Sequence, residues 1–247
     1  GAFFRFDEYL ARFLSSMENL HLDPGMTRLD IQAALHQMVG KSNLRDSYVA
    51  MVCSRGKPKI AGSRDPRDCD NHFFAWCVPY VHVIKPEVVE QGATAWIAQN
   101  AYRIPENSVN PLVKNYHWGD FTQGIFEAKD KDYETVILLD YDGNVTEGPG
   151  FNVFAVKDKV LITPDRGVLA GVSRKTVLEM AEHLGINTSI RSLSVEELLE
   201  ADDHLLQVSA GHLAVAVDGD HLQADVVDHR EGRPRGDHRL LVDHDLA

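Results

Sequence analysis

Val113-Lys114-Asn115-Tyr116-His117-Trp118-Gly119-Asp120 is the stretch from which this chain is best read. It puts one lysine at the end of an irregular, proline-containing segment, Asn107 to Pro111, and just ahead of a predicted helix. A lysine that acts as a nucleophile must shed its proton near neutral pH, which requires desolvation or a nearby cation. Trp118 and Phe121 lie within two helical turns and are candidates to dry such a site. Taken alone, Lys114 reads more readily as a solvated surface charge than as a nucleophile.

Two further stretches follow downstream, Thr146-Glu147-Gly148-Pro149-Gly150-Phe151-Asn152 and Gly171-Val172-Ser173-Arg174-Lys175. Glu147 sits in a glycine- and proline-rich turn between two predicted strands, where an acid is either an exposed turn residue or a salt-bridge partner. Val172 and Ser173 open a predicted helix. A plain N-cap at Ser173 explains them, and the same free N–H groups suit a phosphate dianion. A positioned lysine, an acid in a turn and a hydroxyl at a helix start are together what pyridoxal phosphate needs. The lysine forms a Schiff base, the acid keeps the pyridine nitrogen protonated, and the helix start holds the phosphate.

Outward from these motifs, the bulk numbers narrow the class. The chain has 247 residues, 44% of them hydrophobic, enough for one large domain or two small ones. A formal net charge of −12 argues against nucleic acid or an anionic membrane surface as partner. No apolar run reaches the length of a membrane span, and the three cysteines Cys53, Cys69 and Cys77 form no CxxC, so a reduced cytoplasmic protein is expected. The pairs Asp220-His221, Asp228-His229, Asp237-His238 and Asp243-His244 match no metal-ligand spacing, and no metal is expected.

The periodicity predicts helices over Asp7–Leu20 and Thr27–Val39, the latter with Thr27 as N-cap and Gly40 as stop. Strands are predicted over Ser47–Ser54, Phe73–Val81 and Ala93–Tyr102, forming a small sheet covered by the two helices. Beyond a linker at 103–110, the second half is strand-rich. A strand covers Thr135–Asp140, and a hairpin pairs Phe151–Val156 with Val160–Thr163. A helix capped by Ser173 runs to Leu184, with Val177, Ala181 and Leu184 inward. A short helix starts at a Ser194-Val195-Glu196-Glu197 capping box, and a strand covers Leu205–Ser209. The expected organisation is α+β: a small α/β domain at 1–102, a linker at 103–110, a larger β-rich domain at 111–219 and an Asp/His/Arg-rich tail at 220–247. The last aromatic residue of the chain is Phe154.

In this order the motifs resemble the class IV, fold type IV, pyridoxal-phosphate-dependent aminotransferases, and among them most the (R)-selective amine transaminases. The similarity rests on Val-Lys-Asn-x-x-Trp-Gly-Asp at 113–120, Thr-Glu-Gly-x-Gly-Phe-Asn at 146–152 and Thr-Pro-Asp-Arg-Gly-Val-Leu at 163–169. The resemblance implies a homodimer with a small α/β domain, a larger pseudo-barrel domain and pyridoxal 5′-phosphate held between them. It implies transfer of an amino group from an amine or amino acid to a keto acid such as pyruvate, with Lys114 catalytic. Arg12, Glu147, Phe151, Leu169, Val172, Ser173 and Ser209 would bind cofactor, and Arg64 and Trp118 would meet substrate. A branched-chain or D-amino-acid aminotransferase, an aminodeoxychorismate lyase, and a truncated non-catalytic homologue are the alternatives. The family's N-terminal strands are not matched before Gly1, and after Gly211 its usual run gives way to His212-Leu213-Ala214-Val215, so an N-terminal truncation and an atypical tail are expected.

Overall fold

The computed structural model describes residues 2–85, 88, 93–207, 215–218 and 222–223, the segments from 203 onward as backbone strands only. The chain separates into two compact units. One comprises Gly1–His82 with Val113–Asn115, the other Val83–Leu112 with Tyr116–Ala247.

In the first unit, helix α1 (Phe6–Asn19) and helix α2 (Arg28–Ser42) pack apolar faces together. Leu10, Phe13 and Met17 recur at helical spacing and are buried with Ile31 and Leu35 of α2. Thr27 does cap α2: its hydroxyl accepts from the Asp30 N–H, and the Asp30 carboxylate accepts from the Thr27 N–H. Gly40, expected to stop this helix, lies inside it. Asn43 ends it instead, with φ 58° in the left-handed region that asparagine tolerates. Strands β1 (Ser47–Ser54) and β2 (His72–Pro79) pair antiparallel from Ser47↔Pro79 to Ser54↔His72. Gly56 lets the loop between them close: at its φ of +74° a Cβ would lie 1.6 Å from the Asp70 carbonyl oxygen.

The second unit begins with a correction. The strand β3 (Ala95–Tyr102), expected in the N-terminal sheet, pairs parallel with β4 (Thr135–Leu139) of the second unit. Helix α3 (Gly119–Lys129) packs on both strands. It does so closely because it presents Gly124, where a Cβ would sit 2.7 Å from Leu138 Cδ2. Trp96, Ala98, Phe121, Ala128, Val136 and Leu138 fill the space between helix and sheet.

The larger sheet runs β10 (Val215–Asp218), β9 (Asp203–Gln207), β6 (Phe151–Lys157), β7 (Val160–Thr163) and β8 (Asn187–Ile190), with the two-residue β5 (Glu147–Gly148) paired to β6. Strand β7 (Val160–Thr163) closes the expected hairpin with β6 through Asp158 and Lys159, both at positive φ as a two-residue type I′ turn requires. Helix α4 (Val172–His183) crosses over from β7 to the parallel strand β8 (Asn187–Ile190). Its start and inward face differ from expectation: Gly171 is the N-cap, Ser173 is already helical, and Leu184 is exposed while Ala181 is buried. Gly185, at φ 71°, does follow its end. Helix α5 (Val195–Leu199) is capped by Ser194, which accepts from the Glu197 N–H. The Glu197 carboxylate is engaged with Arg191. Strands β9 (Asp203–Gln207) and β10 (Val215–Asp218) extend the large sheet, and β11 (Leu222–Gln223) pairs parallel with β3.

Candidate active site

In the second unit, the motif around Glu147 folds into a turn where strand β5 doubles back onto β6. Gly148 makes this possible, since a Cβ there would lie 2.1 Å from the Phe151 ring and 2.5 Å from the Val136 carbonyl oxygen. The Phe151 side chain is thereby placed in the buried core. Glu147 is itself buried, at 5% exposure, and its carboxylate is held from three directions. The Arg103 guanidinium donates to Oε1 at 3.0 Å, and the Leu169 N–H and Asn152 Nδ2 donate to Oε2 at 2.9 and 3.2 Å. Asn152 also donates to the Leu169 carbonyl at 3.0 Å, so the strand residue and the loop residue fix the acid together.

Arg103 is the centre of this arrangement and was absent from the sequence expectations. Its other terminal nitrogen donates to Asp120 Oδ2 at 2.5 Å, its Nε donates to the Gly167 carbonyl at 3.2 Å, and its guanidinium lies over the Phe121 ring at 4.3 Å. Asp120, the last residue of the lysine motif, also accepts from the Ile104 N–H at 3.0 Å. Asp120, Arg103 and Glu147 thus form a hydrogen-bonded triad with two carboxylates to one cation, all three side chains withdrawn from water.

The helix start lies beside this acid. A Cβ on Gly171 would come within 2.4 Å of Asn152 Oδ1, so glycine is required for the approach of α4. Glycine offers no side chain to cap the first-turn N–H groups of Val172 and Ser173, which suits an anion there. Arg174 in the same turn donates to Thr163 Oγ1 and to the Pro164 carbonyl. Burial lowers its pKa, and Glu147 and Asp165 pull the other way. The Leu169 side chain is half-buried, and Trp118 precedes α3 with its ring edge-on to Phe121 at 5.6 Å.

In the first unit, Lys114 is exposed, and its backbone N–H donates to Ser16 Oγ at 3.1 Å. Ser16 is buried on α1 one turn beyond Arg12, so the segment bearing the lysine is tied to the helix bearing the arginine. Arg12 lies over the Tyr9 ring at 5.1 Å and has no carboxylate partner among the described residues. Burial lowers its guanidinium pKa, partly offset by Tyr9 and Tyr48. Arg64 lies in an exposed loop. Ser209, the remaining expected cofactor residue, lies outside the described residues, as do the Asp-His pairs of the tail. Among the described residues, no group of three or more His, Cys, Asp or Glu is placed to hold a metal, and no helix is long and apolar enough to cross a membrane.

Two units of this construction, with a lysine on one and a clamped acid beside a helix start on the other, have the fold of the type IV aminotransferases. The family model for class IV amino-transferases matches residues 1–218, and the chain belongs to that family of enzymes. The branched-chain-amino-acid aminotransferase of Escherichia coli K12 is 26% identical over 223 residues, covering 87% of this chain and 71% of that protein. The crystal structure of the branched-chain aminotransferase of Thermoproteus uzoniensis with norvaline aligns with a TM-score of 0.80 at 26% identity, over 96% of this chain and 73% of that one. The branched-chain amino acid aminotransferase of Thermobaculum terrenum in its PLP form aligns with a TM-score of 0.74 at 26% identity, over 86% and 69%.

Proposed function

We propose that this aminotransferase works with pyridoxal 5′-phosphate, moving an amino group from an amine or amino acid to a keto acid such as pyruvate, with a preference for (R)-amines. The observation that carries the cofactor reading is the buried Asp120–Arg103–Glu147 triad, which holds the Glu147 carboxylate in one place out of water. A buried carboxylate of that kind suits a protonated pyridine nitrogen. Arg12, which has no carboxylate partner among the described residues, and the N–H groups of Val172 and Ser173 suit a phosphate.

When bound, the cofactor supplies an electron sink for the pair released as a substrate Cα–H bond breaks. Lys114 would be the nucleophile that holds the cofactor and the base that moves the Cα proton. Glu147 would hold the proton on the ring nitrogen, its rotamer fixed by Leu169 and Asn152. Leu169 and Phe151 would confine the ring, Ser209 would add a phosphate contact, and Trp118 would border the substrate.

Arg64 supports the amine preference: it is exposed and makes no ion pair among the described residues, so it can meet a carboxylate or turn away from a neutral side chain. The relatives' names support a second reading, a branched-chain amino acid donor. A cytoplasmic homodimer is part of the proposal, with light scattering as its check.

The test is the visible spectrum of the purified protein with added pyridoxal phosphate, before and after borohydride, with Lys114→Ala alongside. A Lys114-dependent band that borohydride fixes is expected, and its absence from folded protein would refute the cofactor reading. Rates with each enantiomer of a simple aryl amine and pyruvate, against L-leucine and 2-oxoglutarate, then decide between the donors.

A further inference from the structure

We infer that Arg103 is a positioning residue for the reaction: anchored by Asp120, it holds Glu147 ionised and in one orientation. The inference rests on the cofactor reading for the purpose of that orientation, but not for the charge state itself.

Arg103 stands where three separate segments converge. Its backbone N–H donates to the Leu139 carbonyl at 2.8 Å, which fixes the start of its side chain to the end of β4. From there the guanidinium spends each of its nitrogens differently, on Asp120, on Glu147 and on the Gly167 carbonyl, with the Phe121 ring across its face. This planar fork fits those acceptors with little rotamer freedom left, and an ammonium could not reproduce it. Gly167 is held in turn, its N–H donating to Glu106 at 2.7 Å, so the loop that supplies the Leu169 N–H to Glu147 hangs from Arg103 as well.

Charge points the same way. At its level of burial a carboxylate without a counter-ion takes up a proton and becomes useless as a partner for a pyridinium. Arg103 prevents that. Asp120 prevents the opposite fault, in which a full positive charge facing Glu147 alone would cancel its attraction for a second cation. Among the described residues, Arg174, Asp165 and Glu106 also carry charge near this cluster. Arg174 donates its hydrogen bonds to Thr163 and Pro164 and acts on Glu147 only through space, Asp165 is exposed, and Glu106 accepts from Gly167. Arg103 makes a direct, hydrogen-bonded ion pair with Glu147.

The experiment has two arms. Infrared difference spectra of the protein without cofactor, at neutral pH, report whether Glu147 is protonated, with Glu147→Gln assigning the band. Titration with pyridoxal phosphate reports affinity. Wild type is expected to show no protonated-carboxyl band. Arg103→Met is expected to show one that the double variant with Glu147→Gln lacks, and to raise the dissociation constant about tenfold or more, the equivalent of one pK unit of lost interaction. Arg103→Lys restores the charge, so the band should vanish again, while loss of the fork leaves affinity weaker than wild type. Should Arg103→Met not accumulate as folded protein, Arg103→Lys decides. An ionised Glu147 in Arg103→Met, or wild-type affinity in Arg103→Lys, would overturn the inference. A wild type that binds no cofactor would sink the positioning role and the proposed function together, and the infrared arm would still stand or fall on the charge.

Discussion

Arg12, half-buried in one unit, and Arg103, buried in the other, are treated in opposite ways. Arg103 lies between two carboxylates, a carbonyl and an aromatic face. Arg12 has the Tyr9 ring and, among the described residues, no acid. A satisfied buried cation is scaffolding, since removing it exposes what it held. An unsatisfied one is a standing cost that folding alone does not explain, and so it marks a place for a ligand. The same contrast separates Glu147, held by Arg103, Asn152 and the Leu169 N–H among its donors, from Arg64, exposed on a loop.

The contrast breaks most sharply at Arg103. Arg103→Met should lower the stability of the cofactor-free protein by about 3–5 kcal/mol, the usual cost of stranding buried charges, as read from urea denaturation. Gly171→Ala comes next. The added methyl meets Asn152 Oδ1, so an overpacking loss of about 1–3 kcal/mol is expected, together with weaker phosphate binding if Asn152 yields.

Arg12→Met should behave unlike either. Without cofactor its stability should stay within about 1 kcal/mol of wild type, because the charge removed is half-buried and has no acid partner among the described residues. The stabilisation that added pyridoxal phosphate gives wild type should largely disappear. If Arg12→Met unfolds as readily as Arg103→Met, the distinction between the two arginines is lost.

Glu127 offers a third arrangement, an acid held by N–H groups. Its burial raises the carboxyl pKa, but donation from the Trp96 indole and the Gln99 and Asn100 N–H groups brings it, with Lys131, below the ordinary value. Its stabilisation is therefore complete above the unfolded value of about 4.3 and fades as pH falls through the lower folded value. Glu127→Gln should be slightly less stable than wild type at neutral pH, and the gap should close on acidification in thermal melts.

Much of this was legible in the sequence where the determinants are local. The bounds of β1, the Thr27 cap, the β6–β7 hairpin, though not its exact turn, and the helix stop at Gly185 follow from neighbouring residues. Non-local determinants were hidden. Strand β3 reads as a strand in isolation, but its parallel partner lies beyond a helix. Gly40 reads as a helix stop only because nothing local says that Asn43 will take the left-handed turn. At the site, the three motifs named Lys114, Glu147 and the helix start. Arg103 stood at the edge of a proline-containing stretch and read as linker, since its partners are 17 and 44 residues away. Asp120 and Asn152 were within the quoted motifs. A question about what each motif's last polar residue binds was the signal that could have led to Arg103.

Glu127 has one more consequence. Strand β3 loses its regular register with β4 between Ile97 and Tyr102, where amides would ordinarily exchange with solvent readily. The amides of Gln99 and Asn100 are instead closed by a carboxylate carried on helix α3. Their deuterium uptake therefore reports how often that carboxylate lets go, so two peaks in a spectrum serve as a built-in clock for the contact between helix and strand.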